Sequence, residues 1–168
     1  LLDRSLLRRR TGQLGEERYW MRETIRQFAG EQLDESGAGE STRRRHAERM
    51  LAIARTAGLS EDSDSLYDLA IALAERDDLR AALDWASEND LTLALELAAA
   101  LENFWNAHAQ VEGARRLTAL LDRADNAPAR LRLSALRAHG GALSLSGQSD
   151  FGERRHQGLV FVHQRGEP

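Results

Sequence analysis

Histidine is the most versatile candidate for chemistry in this sequence, because imidazole is both an acid–base group and a common metal ligand. None of the histidines belongs to an H-E-x-x-H motif, and no acidic residue is spaced as an obvious third ligand. Two of them would share one helix face, yet we expect ordinary surface or partly packed histidines and no metal site. The five are His46, His108, His139, His156 and His163, and the last two form that pair.

Nucleophiles are scarce in the 168 residues. The chain has no cysteine, and all 23 basic residues are arginine. Thiol catalysis, a Schiff-base lysine and a P-loop lysine are therefore excluded within it. Serines are present without a G-x-S-x-G elbow. Asp77 and Asp78 are adjacent rather than opposed, and we expect them to cap a helix at Leu79. We predict no catalytic residues and no enzymatic activity in this chain.

Arginine supplies two basic clusters, Arg8–Arg10 and Arg43–Arg45. Arginines in a hairpin or "wing" would be able to touch phosphates. The alternative is that both clusters are solvated or paired with carboxylates. The net charge of −4 gives no chain-wide electrostatic case for nucleic acid, and no aromatic residues are interleaved to form a stacking platform.

The elements that would position these residues begin with a hairpin. The segment Ser5–Leu7 leads into the first arginines, Thr11–Gly15 has turn chemistry, and Arg18–Met21 is short and aromatic. From Thr24, expected as an N-cap, apolar residues follow a helical spacing that Ser36–Gly39 ends.

The remainder of the chain is predicted to be helical, because alanine and leucine dominate residues 66–143 and the only prolines are Pro128 and Pro168. A second helix, capped by Ser41 or Thr42, ends at Gly58, and a linker covers Gly58–Ser65. Two later helices begin at Leu66 and Leu79, and a longer one covers Leu91–Ala107. The next helix contains Leu117, and the last two cover Leu131–Leu145 and Phe151–Val162. Trp85, Phe104 and Trp105 are expected to pack in the core.

A weak internal repeat has a period of about 40 residues, the length typical of stacked helix pairs. It maps Leu91 to Leu131, Val111 to Phe151 and Pro128 to Pro168. The pattern favours a helical solenoid. Glycines in the last pair, including Gly140 and Gly141, predict that its terminal helix frays.

Several strings of this sequence resemble one bacterial family. They are Leu2–Leu7, Arg18–Ala29, Arg44–Ala47, Asp78–Ala86, Leu97–Leu101, Phe104–Trp105 and Glu112–Arg116. In this order they resemble the junction after the nucleotide-binding module of STAND-type regulatory ATPases, which include LuxR-type and activator-type transcriptional regulators. The resemblance covers nearly the whole chain and weakens after Gly147.

The resemblance implies a layout. Residues 1–37 would be the C-terminal part of a winged-helix domain, residues 38–65 a connecting helix and linker, and residues 66–168 tetratricopeptide-like helical repeats. The fold class would be mainly α, with a short β-hairpin before the helical solenoid. No cofactor is implied for this chain itself. ADP or ATP would bind an upstream domain that this sequence lacks.

Arg22 is the one position for which the resemblance implies a mechanism. In relatives of the fold, the strand-to-helix corner carries a Met-His-Asp motif whose histidine reaches the phosphates of bound ADP. Met21, Arg22 and Glu23 occupy that corner here, so arginine stands in place of the histidine. Arginine is always charged and donates bidentately to phosphate. Arg22 is therefore predicted to contact an ADP phosphate, and the alternative is an exposed or salt-bridged arginine.

The predicted function is a non-catalytic regulatory or sensor segment. It would relay nucleotide state through the winged helix and bind a protein or ligand through its helical repeats. Two alternatives stay open: a stand-alone helical interaction adaptor, and a DNA-binding winged helix with a helical dimerisation region. On the main interpretation, the nucleotide-binding domain is a partner in cis, and DNA is bound only through a separate domain. Neither a signal peptide nor an apolar stretch of membrane-spanning length is apparent, which predicts a cytoplasmic location.

Overall fold

The computed structural model describes residues 6–12, 15–58 and 65–163, and it describes side chains over 6–12, 15–56 and 69–147. The chain forms two compact units, Leu1–Asp90 and Leu91–Pro168. Within the described residues, the first unit holds a β-hairpin and four helices, and the second holds four more helices. The mainly α architecture with a short hairpin is therefore confirmed. The predicted domain identities over 1–37, 38–65 and 66–168 stay predictions.

The hairpin consists of β1 (Arg8–Thr11) and β2 (Glu17–Trp20), which pair antiparallel. Its turn contains Gly15 with φ of 85°, a backbone conformation that glycine adopts without steric cost. The amide of Gly12 donates to the carbonyl of Glu16 at 2.8 Å and closes the loop. The strands lie where the sequence pattern predicts them.

Helix α1 (Glu23–Glu35) begins one residue before the predicted cap. Thr24 is not the N-cap: Arg22 holds that position with an extended backbone, and Glu23 places a carboxylate in the first turn, where the helix dipole favours it. Gly37, with φ of 73°, ends the helix as predicted.

Helix α2 (Gly39–Gly58) starts earlier than Ser41 or Thr42, so neither residue caps it. The side chain of Ser41 instead donates to the carbonyl of Ala38 at 3.1 Å. The helix ends at Gly58, as predicted. The predicted linker over 58–65 lies mostly outside the described residues, which resume at Ser65.

Helices α3 (Ser65–Ala74) and α4 (Arg76–Asn89) complete the first unit. Glu75 is the N-cap of α4, so Asp77 and Asp78 lie in its first turn and do not cap a helix at Leu79. The core lies mainly between α2 and α4. Its fully or almost fully buried side chains are Ala47, Met50, Leu51, Ala54, Ala72, Leu79, Ala82, Leu83 and Ala86.

The second unit departs from prediction at its start. The predicted helix over Leu91–Ala107 is two helices, α5 (Leu91–Ala100) and α6 (Glu102–His108), separated at Leu101. The cause is a side chain: the indole Nε1 of Trp105 donates to the carbonyl of Ala98 at 2.9 Å. An uninterrupted helix would give that carbonyl to the amide of Glu102.

Two further helices, α7 (Gln110–Leu121) and α8 (Ala129–His163), close the second unit. α8 is continuous, so the predicted division into Leu131–Leu145 and Phe151–Val162 is wrong. No proline interrupts this stretch, and a helix tolerates interior glycine at a cost of about 1 kcal/mol each. Ala135, Ala138 and Ala142 bury the face of α8 that packs on its neighbours.

Candidate functional site

The strand-to-helix corner is formed by Met21 and Arg22, between the end of β2 at Trp20 and the start of α1 at Glu23. Arg22 has φ of −63° and ψ of 147°, and its carbonyl accepts from the amides of Ile25 and Arg26 at 2.9 Å each. Its backbone therefore starts the helix while its side chain makes no capping hydrogen bond. The corner presents Arg22 to solvent.

The guanidinium of Arg22 has no carboxylate partner among the residues that the structure describes. The nearest acid in sequence, Glu23, is taken by Arg26, whose Nη2 donates to Glu23 Oε2 at 2.6 Å. An exposed arginine at a helix N-terminus, where the helix dipole is positive, is suited to hold an anion. It offers neither a nucleophile nor a proton-transfer group, because arginine stays protonated.

The hairpin carries the first arginine cluster, Arg8–Arg10, next to this corner. Arg8 lies opposite Trp20, and because side chains alternate along a strand, Arg10 is on the same face. The guanidinium carbons of Arg8 and Arg10 lie 5.4 and 5.0 Å from the centroid of the Trp20 ring, within the range of cation–π interactions. Arg9 is on the opposite face and pairs with Glu17 at 2.9 Å.

Trp20 accompanies the arginines of the hairpin without forming an open stacking platform. Its ring is half-buried beside the two guanidiniums, and its buried indole Nε1 has no hydrogen-bond partner among the described residues. Sequence reasoning missed this arrangement because the residues are ten or more positions apart. The signal that would have found it is the strand register, which places Arg8 opposite Trp20.

Arg18 fastens the hairpin to the helices of its unit. Its Nε donates to Glu16 at 2.5 Å, and its Nη2 pairs with Glu75, the residue between α3 and α4. The side chains of Arg18 and Glu75 are both partly buried. No pattern in the sequence predicts this contact, which joins residues far apart in the chain.

Asp78 lies in the first turn of α4, where charges from three other elements meet. His46 of α2 approaches it with Nε2 3.8 Å from Oδ1. The pKa of Asp78 is lowered, mainly by His46 and further by the positive charges of Arg18 and Arg26, while burial opposes the shift. Groups from β2, α1 and α2 thus stabilise the ionised carboxylate. The N-terminus of α4 interacts electrostatically with all three elements.

A cleft of about 450 Å³ lies between the hairpin and the α3–α4 junction. Thr11, Gly12 and Arg18 line it from the hairpin side, and Leu73 and Arg76 line it from the helices. Four of the eight lining residues are charged, namely Glu16, Arg18, Arg76 and Asp77. The cleft therefore lies beside the charged groups at the start of α4 and is not an apolar ligand pocket.

Two arginines of the second cluster, Arg43 and Arg44, pair with carboxylates. Arg43 makes a bidentate pair with Asp34, at 2.6 and 3.0 Å. Arg44 donates to Asp90 at 2.7 Å and lies 5.6 Å from the centroid of the Trp85 ring. Arg43 and Arg44 therefore follow the alternative in which the arginines are paired with carboxylates. Trp85 is half-buried against Arg44.

The histidines form no metal centre among the residues that the structure describes. His46 faces Asp78, and the Nε2 of His139 lies 2.9 Å from the Oγ1 of Thr118. His108 lies near the ring of Phe104. The predicted pair, His156 and His163, lies outside the described side chains.

The helical surface of the second unit exposes apolar side chains on α8. Leu133, Leu136 and Leu143 are 68%, 50% and 48% exposed. Phe104 and Trp105, in contrast, are buried, which agrees with the prediction that they pack in the core. Across the described residues, no helix is both long and apolar enough to cross a bilayer.

Comparison with known proteins finds similarity to mycobacterial proteins that are named as transcriptional regulators. The chain is 36% identical, over 110 residues, to a protein of Mycobacterium bovis named "Putative HTH-type transcriptional regulator" and equally to proteins with that name in Mycobacterium tuberculosis. The matched segment is 64% of this chain and 12% of each relative. No protein-family model and no solved structure matches the chain.

Proposed function

We propose that this chain is a non-catalytic regulatory segment of a multidomain bacterial transcriptional regulator. The observation that carries the proposal is the 36% identity to relatives that are named as HTH-type transcriptional regulators and not as enzymes. Because this chain spans only 12% of their length, the activity of the whole protein belongs to the proposal. The cytoplasmic location in which such a regulator would act is also part of the proposal.

The segment relays the state of a nucleotide bound by an upstream STAND-type ATPase domain. Arg22 is the residue that contacts a phosphate of ADP. Its exposure, its position at the start of α1 and its lack of a described carboxylate partner fit a phosphate contact. On this proposal the upstream domain holds the rest of the nucleotide.

The relay runs from the corner into the helices through β2. Arg18 lies four residues before Arg22, and its ion pair with Glu75 links the hairpin to the start of α4. Asp78, one turn further along α4, also feels the charge of Arg26. A change of contact at Arg22 therefore reaches α4 through charged groups rather than through the apolar core.

The helices of the second unit act as tetratricopeptide-like repeats that bind a protein or ligand. Packed helix pairs that are consecutive in the chain, such as α6–α7 and α7–α8, are the kind of unit from which such repeats are built. The exposed leucines of α8 supply apolar surface for a partner. These same leucines favour the alternative function, a helical interaction adaptor that is not connected to any nucleotide.

The test is ADP binding by the full-length protein that contains this chain. Arg22→Ala is expected to weaken ADP by about tenfold to a hundredfold, the loss of one charged hydrogen bond to phosphate, and to raise regulatory activity. Arg9→Ala is the matched control, because Arg9 is exposed on the same hairpin but already paired with Glu17. Calorimetric titration measures both variants.

Unchanged ADP affinity in Arg22→Ala would contradict the phosphate contact. Absence of ADP binding in the unsubstituted full-length protein would contradict the relay as a whole and leave the adaptor function.

A further inference from the structure

The two faces of the hairpin differ in charge. Arg9 and Glu17 lie on one face and neutralise each other at 2.9 Å. Arg8 and Arg10 lie on the other face with Trp20. Among the described residues, neither Arg8 nor Arg10 pairs with a carboxylate. A third arginine on this face, Arg18, is neutralised by Glu16 and Glu75 and contributes no free charge.

Two like charges held on one short strand repel each other, and an anion bound between or above them would offset this repulsion. Trp20 orders both guanidiniums through its ring, which preserves their charge and leaves their N–H donors available. Both side chains are exposed, and the strand sets their Cα atoms about 7 Å apart. The arrangement is an ordered pair of guanidiniums on an exposed strand, available to donate hydrogen bonds to phosphate.

We infer that the face formed by Arg8, Arg10 and Trp20 binds the phosphodiester backbone of duplex DNA. Guanidinium groups donate charge-assisted hydrogen bonds to phosphate oxygens, and a line of phosphates is the anion that a pair of ordered arginines matches. Such contacts position a protein on DNA without reading its sequence. Sequence-specific recognition would still lie in a separate domain. The inference departs from the expectation that DNA is bound only through that domain, because the hairpin would also contact the DNA backbone.

Duplex DNA is favoured over other anionic partners by the state of Trp20. Single-strand binding proteins stack bases on open aromatic rings, but this ring is half-buried beside two guanidiniums. Tyr19, which is exposed, lies on the opposite face with Arg9. Binding to an anionic membrane would use apolar side chains free to insert, and the aromatic residue of this face is not free.

The experiment titrates a fluorescent duplex of random sequence with the 168-residue chain at several salt concentrations. No nucleotide is added, so failure here leaves the nucleotide relay untouched. The double variant Arg8→Gln/Arg10→Gln removes two phosphate contacts and is expected to reduce the salt slope, d log K/d log[salt], by about 1.8. Between 50 and 200 mM salt, the unsubstituted chain should lose about twelvefold more affinity than the double variant.

Arg9→Gln is the matched control and should leave the slope unchanged, because Arg9 already has Glu17 as its partner. Circular dichroism checks that each variant is folded. If the double variant is not, the single variants Arg8→Gln and Arg10→Gln are each expected to reduce the slope by about 0.9.

The inference is overturned by the absence of duplex binding at 50 mM salt, by an unchanged slope in the arginine variants, or by an equal loss in Arg9→Gln. Tighter binding to single-stranded DNA, or to vesicles containing phosphatidylserine, would assign the face to that partner instead. Full displacement of the duplex by millimolar inorganic phosphate would reduce it to a site for a small anion.

Discussion

Gly113 shows how closely single residues are fitted in the second unit. A methyl group added at this position would lie 2.6 Å from Cγ and 2.7 Å from Cβ of Trp105. Trp105 is 1% exposed and is fixed by its hydrogen bond to Ala98, so it has little room to move. Gly140 provides the contrast, since a methyl group there would meet nothing within 4 Å.

We expect Gly113→Ala to lower the free energy of unfolding by about 1–3 kcal/mol, the range for overpacking a filled core. Gly140→Ala should raise it by up to about 1 kcal/mol, because alanine is the better helix former. Urea titration followed by circular dichroism measures both. Equal effects of the two substitutions would mean that Trp105 does not pack on Gly113 as described.

The sequence predicts some parts of the candidate site and not others. The pattern located the corner, because a short aromatic strand followed by helical spacing fixes where Arg22 must lie. It did not reveal that Arg8 and Arg10 flank Trp20, because that depends on hairpin register. The bond from Trp105 to Ala98, which interrupts the predicted helix, depends on a rotamer and left no trace in the spacing.

At the scale of elements, the hairpin is held to its unit by the pair between Arg18 and Glu75. A double-mutant cycle with Arg18→Ala and Glu75→Ala should give a coupling energy of about 0.5–1 kcal/mol, because both groups are only partly shielded from water. Hydrogen exchange of the β1 and β2 amides should accelerate in both single variants.

The pair between Arg9 and Glu17 is the control for that cycle. It joins the two strands to each other but does not reach α4, and both side chains are about 60% exposed. Its coupling energy should be smaller. A coupling between Arg18 and Glu75 that is no larger than this control would contradict the role of Arg18 as the fastening of the hairpin.

Helix existence was easier to predict than helix boundaries. The apolar spacing located α1, α2, α3, α4 and α7. Helices α2, α4 and α7 bury the predicted face, whereas α1 has no buried residue and leaves Phe28 60% exposed. The prediction misplaced all three caps expected in the first unit, since α1, α2 and α4 begin earlier than the predicted cap residues allow. It divided α8 because glycines suggest breaks, whereas the backbone tolerates them when no proline intervenes.

At the scale of the whole molecule, the function proposed here requires that a nucleotide bound elsewhere changes this chain. The groups that would transmit the change lie within residues 18–26 and at the start of α4, and they are linked by Arg18, Glu75 and Asp78. The α8 surface that would bind a partner belongs to the other compact unit.

Hydrogen exchange of the full-length protein, with and without saturating ADP, tests this requirement most directly. We expect ADP to slow amide exchange across residues 18–26 at the strand-to-helix corner, and we expect Arg22→Ala to abolish that protection under saturating ADP. Bound ADP that leaves exchange at the corner unchanged would contradict the proposed relay.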